Sequence, residues 1–312
     1  IKSALPSIIM CVAMFASIFI WPTISRRVEA RNRKKKEKER QKKYGAYIES
    51  KKLDIQKAID QQSSILNNNY PSIKDCEQIV LNKYTTLWQR RIEDDDYLVI
   101  NLGVGSYPMK IDIKYPEEHF SLFQDNLKDM VQSLGAEPKL LPNVPIIYSL
   151  YDNYITGIIG SYSETSKYLK NVILQCVTHH SYDNLKIVIF TDEEKQKDYE
   201  YLSFLPHLFT EDKELRFYAT NNDEYKEICY YLDREFNKRN ELNKELTKED
   251  LDCTYLIITD SFKAIRNYDV INNIIKYKKN LVFSIVILDK NITDLPTECK
   301  SFISIKDGTG EM

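Results

Sequence analysis

The stretch ITGIIGSYSETSK, Ile155 to Lys167, decides the fold. Residues 155–159 are a short continuous apolar run, Gly160 interrupts it, and residues 164–179 carry a helical pattern. A strand, a glycine turn and a helix, in that order, open a nucleotide-type α/β unit whose turn N–H groups can face a phosphate. Downstream, residues 185–190 (LKIVIF), 215–219, 255–259 (YLIIT), 281–288 (LVFSIVIL) and 301–305 read as buried-type strands. Helical patterns at 223–237 and near 270–277 lie between them. Apolar strands alternating with helices predict an α/β domain of RecA-like, P-loop type, with a mainly parallel sheet covered on both faces. Ligands of such sheets bind at the carboxyl ends of the strands, which places Gly160, Thr191-Asp192 and Asp260 along one edge.

The geometry of a phosphate loop is present, but its chemistry is not. The working pattern G-x-x-x-x-G-K-S/T supplies backbone N–H groups, a Lys for the β/γ oxygens and a hydroxyl for magnesium. Here the eight residues are Gly160-Ser161-Tyr162-Ser163-Glu164-Thr165-Ser166-Lys167. Thr165 replaces the second glycine, Ser166 the lysine and Lys167 the hydroxyl, while Glu164 adds a negative charge where phosphates would rest. Asp260 closes its strand as a magnesium-coordinating carboxylate would, although the commoner role at that place is a helix cap. Ser261 follows where many ATPases carry a Glu. The expectation is a degenerate nucleotide site without catalytic residues, holding no cofactor and no metal. His179-His180 reads as a helix-end or core pair, and the tyrosines from Tyr225 to Tyr231 as packing residues, any exposed ones offering an oligomer contact.

At the other end of the chain, Ala4 to Trp21 carries no charge, and Arg26-Arg27 and RNRKKKEKERQKK (Arg31 to Lys43) follow. An uncharged stretch of this length approaches the roughly 20 residues that cross a bilayer as a helix. A basic flank on one side places that side in the cytoplasm, with Arg26, Arg27, Lys34, Lys35 and Lys36 against anionic lipid. A signal peptide would carry its positive charge before the apolar run, not after it. The sequence opens on Ile, so an excerpt of a longer chain is expected, and the residues alone leave open whether the span is the second helix of a membrane hairpin. Residues 26–43 hold eleven basic and three acidic side chains in a chain of formal net charge −2, so the remainder is net acidic. Beside a span, that run reads as a stop signal and lipid contact rather than a nucleic-acid patch. The six cysteines are scattered without a C-x-x-C pair, the usage of a reducing cytosol.

Between these ends, residues 28–67 are polar and nearly free of helix breakers. Ile48, Ile55, Ile59 and Leu66 share one helical face, which suits a stalk pairing with a copy of itself. Pro71 ends it, and Ser72 with Asp75 predicts a capping box opening a helix to about residue 84. Residues 97–102 and 109–113, joined by a Gly-rich connector, predict a hairpin, and 117–134 a helix stopped by Gly135. The expected organisation is a transmembrane helix at 1–25, a basic juxtamembrane stalk at 26–70, a helix plus hairpin subdomain at 71–145 and the degenerate RecA-like domain at 146–312.

Leu87-Trp88-Gln89-Arg90-Arg91 and Asp94-Asp95-Asp96-Tyr97-Leu98-Val99-Ile100-Asn101-Leu102-Gly103-Val104-Gly105 resemble the L-W-x-R-R…D-x-D-[F/Y]-L-x-x-R-x-G-x-G signature of a known family. These are the membrane-bound FtsK/SpoIIIE-type ATPases of type VII secretion, EssC in Firmicutes and EccC in mycobacteria. Pro142 to Pro145, Gly157 to Gly160 and the run from His180 to Ile189 match in the same order; Asn101 departs, where the family usually carries Arg. The resemblance assigns Trp88, Arg90, Arg91, Asp96, Gly103 and Gly105 structural roles. It implies a second transmembrane helix, a stalk and a degenerate membrane-proximal ATPase-like domain, followed in the parent by ATPase domains using ATP and magnesium. It further implies a Gram-positive cell membrane with the body cytoplasmic, and homo-oligomers. Partners would be the bilayer, other membrane subunits and the chain's own downstream domains, with WXG-type substrates met indirectly. A DNA translocase of the FtsK class would need an intact phosphate loop, and a membrane receptor or scaffold with a sensor domain would need a small-molecule ligand.

Overall fold

The computed structural model describes residues 10, 11, 13–15, 17, 18, 21–111, 113, 114, 126–136, 139–242, 253–277 and 279–312. The chain divides into two compact units, Ile1–Ser63 with Tyr107–Leu141, and Ser64–Ser106 with Pro142–Met312.

The longest element of the first unit is helix α1, Trp21–Asn69, 49 residues long, whose residues from Ser64 onward belong to the second unit. No proline follows Pro22 within it, and pairs one turn apart, Arg40–Glu37 at 2.9 Å and Lys51–Asp54 at 2.9 Å, line its surface. Arg26, Arg27, Lys34, Lys35 and Lys36 are all exposed on it. Ile48 is only 2% exposed. With Tyr44, Tyr47 and Ile55 it lines a cavity of about 490 Å³, bounded on the other side by Ile111, Ile113, Val131 and Leu134. The isoleucine seam expected to pair with a second copy is therefore engaged within its own unit at Ile48 and Ile55, because the chain returns to cover it. Residues 4–9, 12, 16, 19 and 20 of the expected membrane span lie outside the described residues. Among the described residues no helix is long and apolar enough to cross a membrane. The described apolar residues there, Met10, Met14, Phe15, Ile18 and Trp21, are all exposed. Residues 117–125 of the expected amphipathic helix also lie outside the described residues; the helix seen is Asn126–Ala136 (α3), which runs through Gly135.

The second unit opens with α2, Ile73–Asn82, whose start carries the predicted capping box: the Ser72 side chain accepts from Asp75 N and Asp75 accepts from Ser72 N. Lys83, left-handed at φ 51°, closes it. Strand β1, Val99–Pro108, pairs with β2, Leu140–Ser149, in a two-stranded sheet. This replaces the predicted hairpin of 97–102 with 109–113. Gly103 sits inside the strand at φ 152°, a conformation open to glycine, and a Cβ at Gly105 would lie 3.0 Å from Ile146 Cγ1. Both glycines sit in an extended strand rather than a turn, Gly103 for its backbone angle and Gly105 for the close approach of Ile146.

The main sheet contains β3 (Ile155–Ile159), β4 (Leu185–Phe190), β5 (Tyr218–Ala219), β6 (Thr254–Thr259), β7 (Phe283–Asp289), β8 (Ser301–Lys306) and β9 (Thr309–Glu311). Their order is β5-β4-β6-β7-β3-β8-β9; all neighbours are parallel except the antiparallel β8–β9 pair. Successive side chains of β4 enter opposite cores. Leu185, Ile187 and Ile189 join α4 (Tyr162–His179) through Leu169, Val172 and Ile173, whereas Val188 and Phe190 join α5 (Asn222–Leu242) and α7 (Asp269–Lys276). A short helix, α6 (Phe262–Ile265), follows β6 on the second face. The parallel sheet covered on both faces agrees with the sequence reading.

Candidate functional site

Gly160 follows β3 directly, and its N–H donates to Asp289 O at 3.2 Å. A Cβ at Gly160 would come within 2.8 Å of Ile305 O, so the backbone of β8 alone demands glycine here, without any phosphate. Ser161 is the N-cap of α4, but its hydroxyl does not bond a backbone N–H. It donates to Glu164 Oε2 at 2.5 Å. The other oxygen of Glu164 accepts from Asp307 N at 2.8 Å. Both bonds hold the Glu164 carboxyl below the usual carboxylate range, the Ser161 bond contributing most. Thr165 is buried, its hydroxyl donating back to Ser161 O and Tyr162 O; Ser166 is half-buried and Lys167 exposed. The α4 turn therefore presents a fixed anion, and its lysine points away from a buried position to solvent.

Across the edge, Asp260 follows β6 with its side chain 2% exposed. Burial pushes its carboxyl up, the Lys195 ammonium pulling the other way. Oδ2 accepts from the Tyr199 hydroxyl at 3.0 Å, and Oδ1 lies 3.5 Å from Lys195 Nζ without a well-formed hydrogen bond. Lys195 also donates to Asp260 O at 3.2 Å and pairs with Asp192 Oδ2 at 3.3 Å, and its Nζ lies 5.3 Å from the centre of the Tyr162 ring. Asp192 Oδ1 accepts from Ser261 Oγ at 2.6 Å. Tyr162, the third residue of the loop, donates to Asp198 Oδ2 at 2.7 Å. Asp192, Lys195, Tyr199 and Asp260, with Tyr162 over them, thus form one network at the carboxyl edge of the sheet. Lys195 and Tyr199 escaped the sequence reading. They lie on a 3₁₀ segment, Glu193–Leu202, whose polar composition shows no helical or strand period.

The family-motif residues form a second cluster in the same unit. Arg90, 5% exposed, donates through Nη1 to Val99 O (2.6 Å) and Nη2 to Asn69 O (2.8 Å), and its Nε pairs with Asp96 at 2.8 Å. The Trp88 indole donates to Val177 O at 3.0 Å, and its ring meets Tyr182 edge-on. Arg91 is exposed; its backbone N–H donates to Asp94 Oδ2 at 2.7 Å. Asn101, the departure from the pattern, exchanges backbone bonds with the Gln175 amide at 2.7 and 2.9 Å. His179 and His180 are buried, and desolvation takes both down to about 3, which leaves them neutral core groups. His180 Nε2 accepts from Leu98 N at 3.1 Å. Among the described residues no group of His, Cys, Asp and Glu could hold a metal ion, and all six cysteines are free.

No protein-family model matches the chain. Over 311 residues, 98% of its length, it is 23% identical to the type VII secretion system protein EssC of Staphylococcus aureus (strain NCTC 8325 / PS 47). It is 26% identical over 200 residues, 64% of its length, to the ESX secretion system protein YukB of Bacillus subtilis (strain 168). The chain is homologous to the EssC and YukB type VII secretion proteins. It spans 21% of EssC and 13% of YukB, a small part of these curated relatives. Among solved structures it is similar to EssC (ATPases 2 and 3) from Geobacillus thermodenitrificans, with TM-score 0.43 and 14% identity over 71% of this chain and 39% of that one. The cytoplasmic domain of EssC gives TM-score 0.42 and 15% identity, covering 53% of this chain and 36% of that one.

Proposed function

We propose that this chain is the membrane-proximal, non-hydrolytic segment of a type VII secretion motor protein. In this reading the degenerate ATPase-like body couples a membrane pore to active ATPase domains that use ATP and magnesium elsewhere in the same protein. The observation that carries it is Glu164: a carboxylate, tied to the Ser161 hydroxyl and Asp307 N, stands where the triphosphate would rest. The residues present do not fit magnesium-triphosphate. Ser166 takes the place of the phosphate-binding lysine, and Lys195 is already paired with the one carboxylate placed for the metal. No step of chemistry follows from such a site.

The homology to EssC and YukB supports the secretion assignment. The exposed apolar residues Met10, Met14, Phe15, Ile18 and Trp21, followed by the exposed basic run on α1, support a membrane anchor with a cytoplasmic body. Bilayer lipid, other membrane subunits and further copies of the chain are the partners in this reading, and small helical WXG-type substrates are met by other parts of the motor. Duplex DNA is not a partner, because the basic residues are spent on the membrane surface.

Two measurements test the assignment. The purified chain gives no magnesium-dependent ATP turnover above background; turnover abolished by Asp260→Ala would overturn it. In the parent protein, Asp260→Asn leaves export of WXG-type substrates within about twofold of wild type, whereas deleting residues 71–312 abolishes it. Loss of export in a stably expressed Asp260→Asn variant would mean that the site does chemistry.

A further inference from the structure

The mismatch between a nucleotide-type fold and its site has a specific form. In a working site, an aspartate at the end of the strand in the position of β6 holds a magnesium ion, which must be hydrated and exchangeable. Here Asp260 is buried, yet it faces a cation that belongs to the chain. Lys195 Nζ lies 3.5 Å from Asp260 Oδ1, 3.2 Å from Asp260 O and 3.3 Å from Asp192 Oδ2. Three oxygens from two acidic residues converge on one ammonium, and the Tyr162 ring, 5.3 Å away, covers it. Asp260 Oδ1 has no hydrogen bond of ordinary geometry, and the Lys195 ammonium, with the Thr191 hydroxyl beside it, offsets its charge. An aspartate this deeply buried would be strongly destabilising without a counter-charge.

We propose that Lys195 is an internal counter-cation, which takes the place a divalent metal would hold between Asp192 and Asp260 and closes the sheet edge to metal-nucleotide. Lysine suits the role because its ammonium is a compact point charge on a flexible stem. Tyr199, donating to Oδ2, and Ser261, donating to Asp192 Oδ1, satisfy the oxygens turned away from it. The consequence is a latent divalent-cation site, exposed by removing one amine. The inference rests on the non-hydrolytic reading above and deepens it.

Manganese(II), followed by electron paramagnetic resonance of the free ion, tests it in the full chain. Wild type and Lys195→Met/Asp260→Asn show the same weak surface uptake. Lys195→Ala gains one saturable Mn²⁺ per chain, at least about tenfold tighter than that background, and adding Asp260→Asn removes it. Uptake by folded Lys195→Ala equal to wild type would overturn the proposal, as would an Asp260-dependent ion in wild type. Thermal unfolding gives a second arm in case Lys195→Ala folds poorly. Lys195→Met lowers Tm because it strands the Asp260 charge, and adding Asp260→Asn restores at least half of the loss. Strictly additive losses would refute the pairing. Magnesium-dependent ATP turnover by wild type would sink the non-hydrolytic reading itself, whereas unchanged Mn²⁺ uptake without such turnover sinks the counter-cation alone.

Discussion

Arg90→Ala separates the two adjacent arginines of the family motif. The Arg90 guanidinium is buried, and desolvation lowers its pKa; it is retained as a cation by Asp96, Val99 O and Asn69 O. Removing it strands two carbonyls that each accept a charge-assisted hydrogen bond, worth about 1.5–3 kcal/mol apiece. The Asp96 side chain is 36% exposed and regains water, so its pair adds little. The expected loss is roughly 3–6 kcal/mol, a fall of roughly 6–24 °C in the melting temperature of a unit this size. Trp88 and Trp21 are the two tryptophans of the chain, so in a Trp21→Phe background fluorescence reports on Trp88 alone, two residues from the substitution. Thermal unfolding followed at Trp88 should move by that amount for Arg90→Ala and by less than about 0.5 kcal/mol for exposed Arg91→Ala. Equal effects at the two positions, or a change under about 1 kcal/mol at Arg90, would refute the reasoning.

Gly160→Ala should destabilise the second unit by roughly 1–3 kcal/mol in urea titrations, because a backbone carbonyl 2.8 Å from the new Cβ cannot turn aside. Tyr97→Phe should cost about 1–2 kcal/mol in the same assay, since the hydroxyl bonds both Asn184 O and Thr254 Oγ1 at 2.8 Å. Acid should weaken this unit: burial brings His179 and His180 down to about 3 and His207 to about 4, against an ordinary value of 6.5. The unfolded chain gains protons below 6.5 that the folded chain refuses, so this stability is complete above 6.5. It is lost as pH falls through the window down to about 4 and 3, at about 1.4 kcal/mol per histidine per pH unit. A urea midpoint unchanged between pH 7 and pH 5 would contradict this.

Strands β3, β4, β6, β7 and β8 were legible because each is a largely apolar run with few alternatives, whereas exposed β9 carried no such signal and β5 occupies only two residues of the expected 215–219. β3 and β4 fall on the residues expected, and β6, β7 and β8 lie within two. The capping box at Ser72 was legible for the opposite reason, since two polar side chains at the right spacing satisfy each other locally. The β1–β2 pairing was not legible. Pro142 and Pro145 lie inside β2 and Gly103 inside β1, so local rules read punctuation where tertiary contacts impose strand. The vacancy of charge in the phosphate loop could be read residue by residue, but its replacement could not. Lys195 arrives from a polar 3₁₀ segment 65 residues before Asp260, a juxtaposition that only the folded sheet creates.

Glu164 joins the first turn of α4 to the two-residue bend at Asp307-Gly308 that reverses β8 into β9. Where a working motor's loop would shift with the arrival and departure of a fuel molecule, this one is latched to the protein's own hairpin. The first turn of α4 and that hairpin are thus tied by a carboxylate of the chain itself, a tie that needs no ligand to hold it.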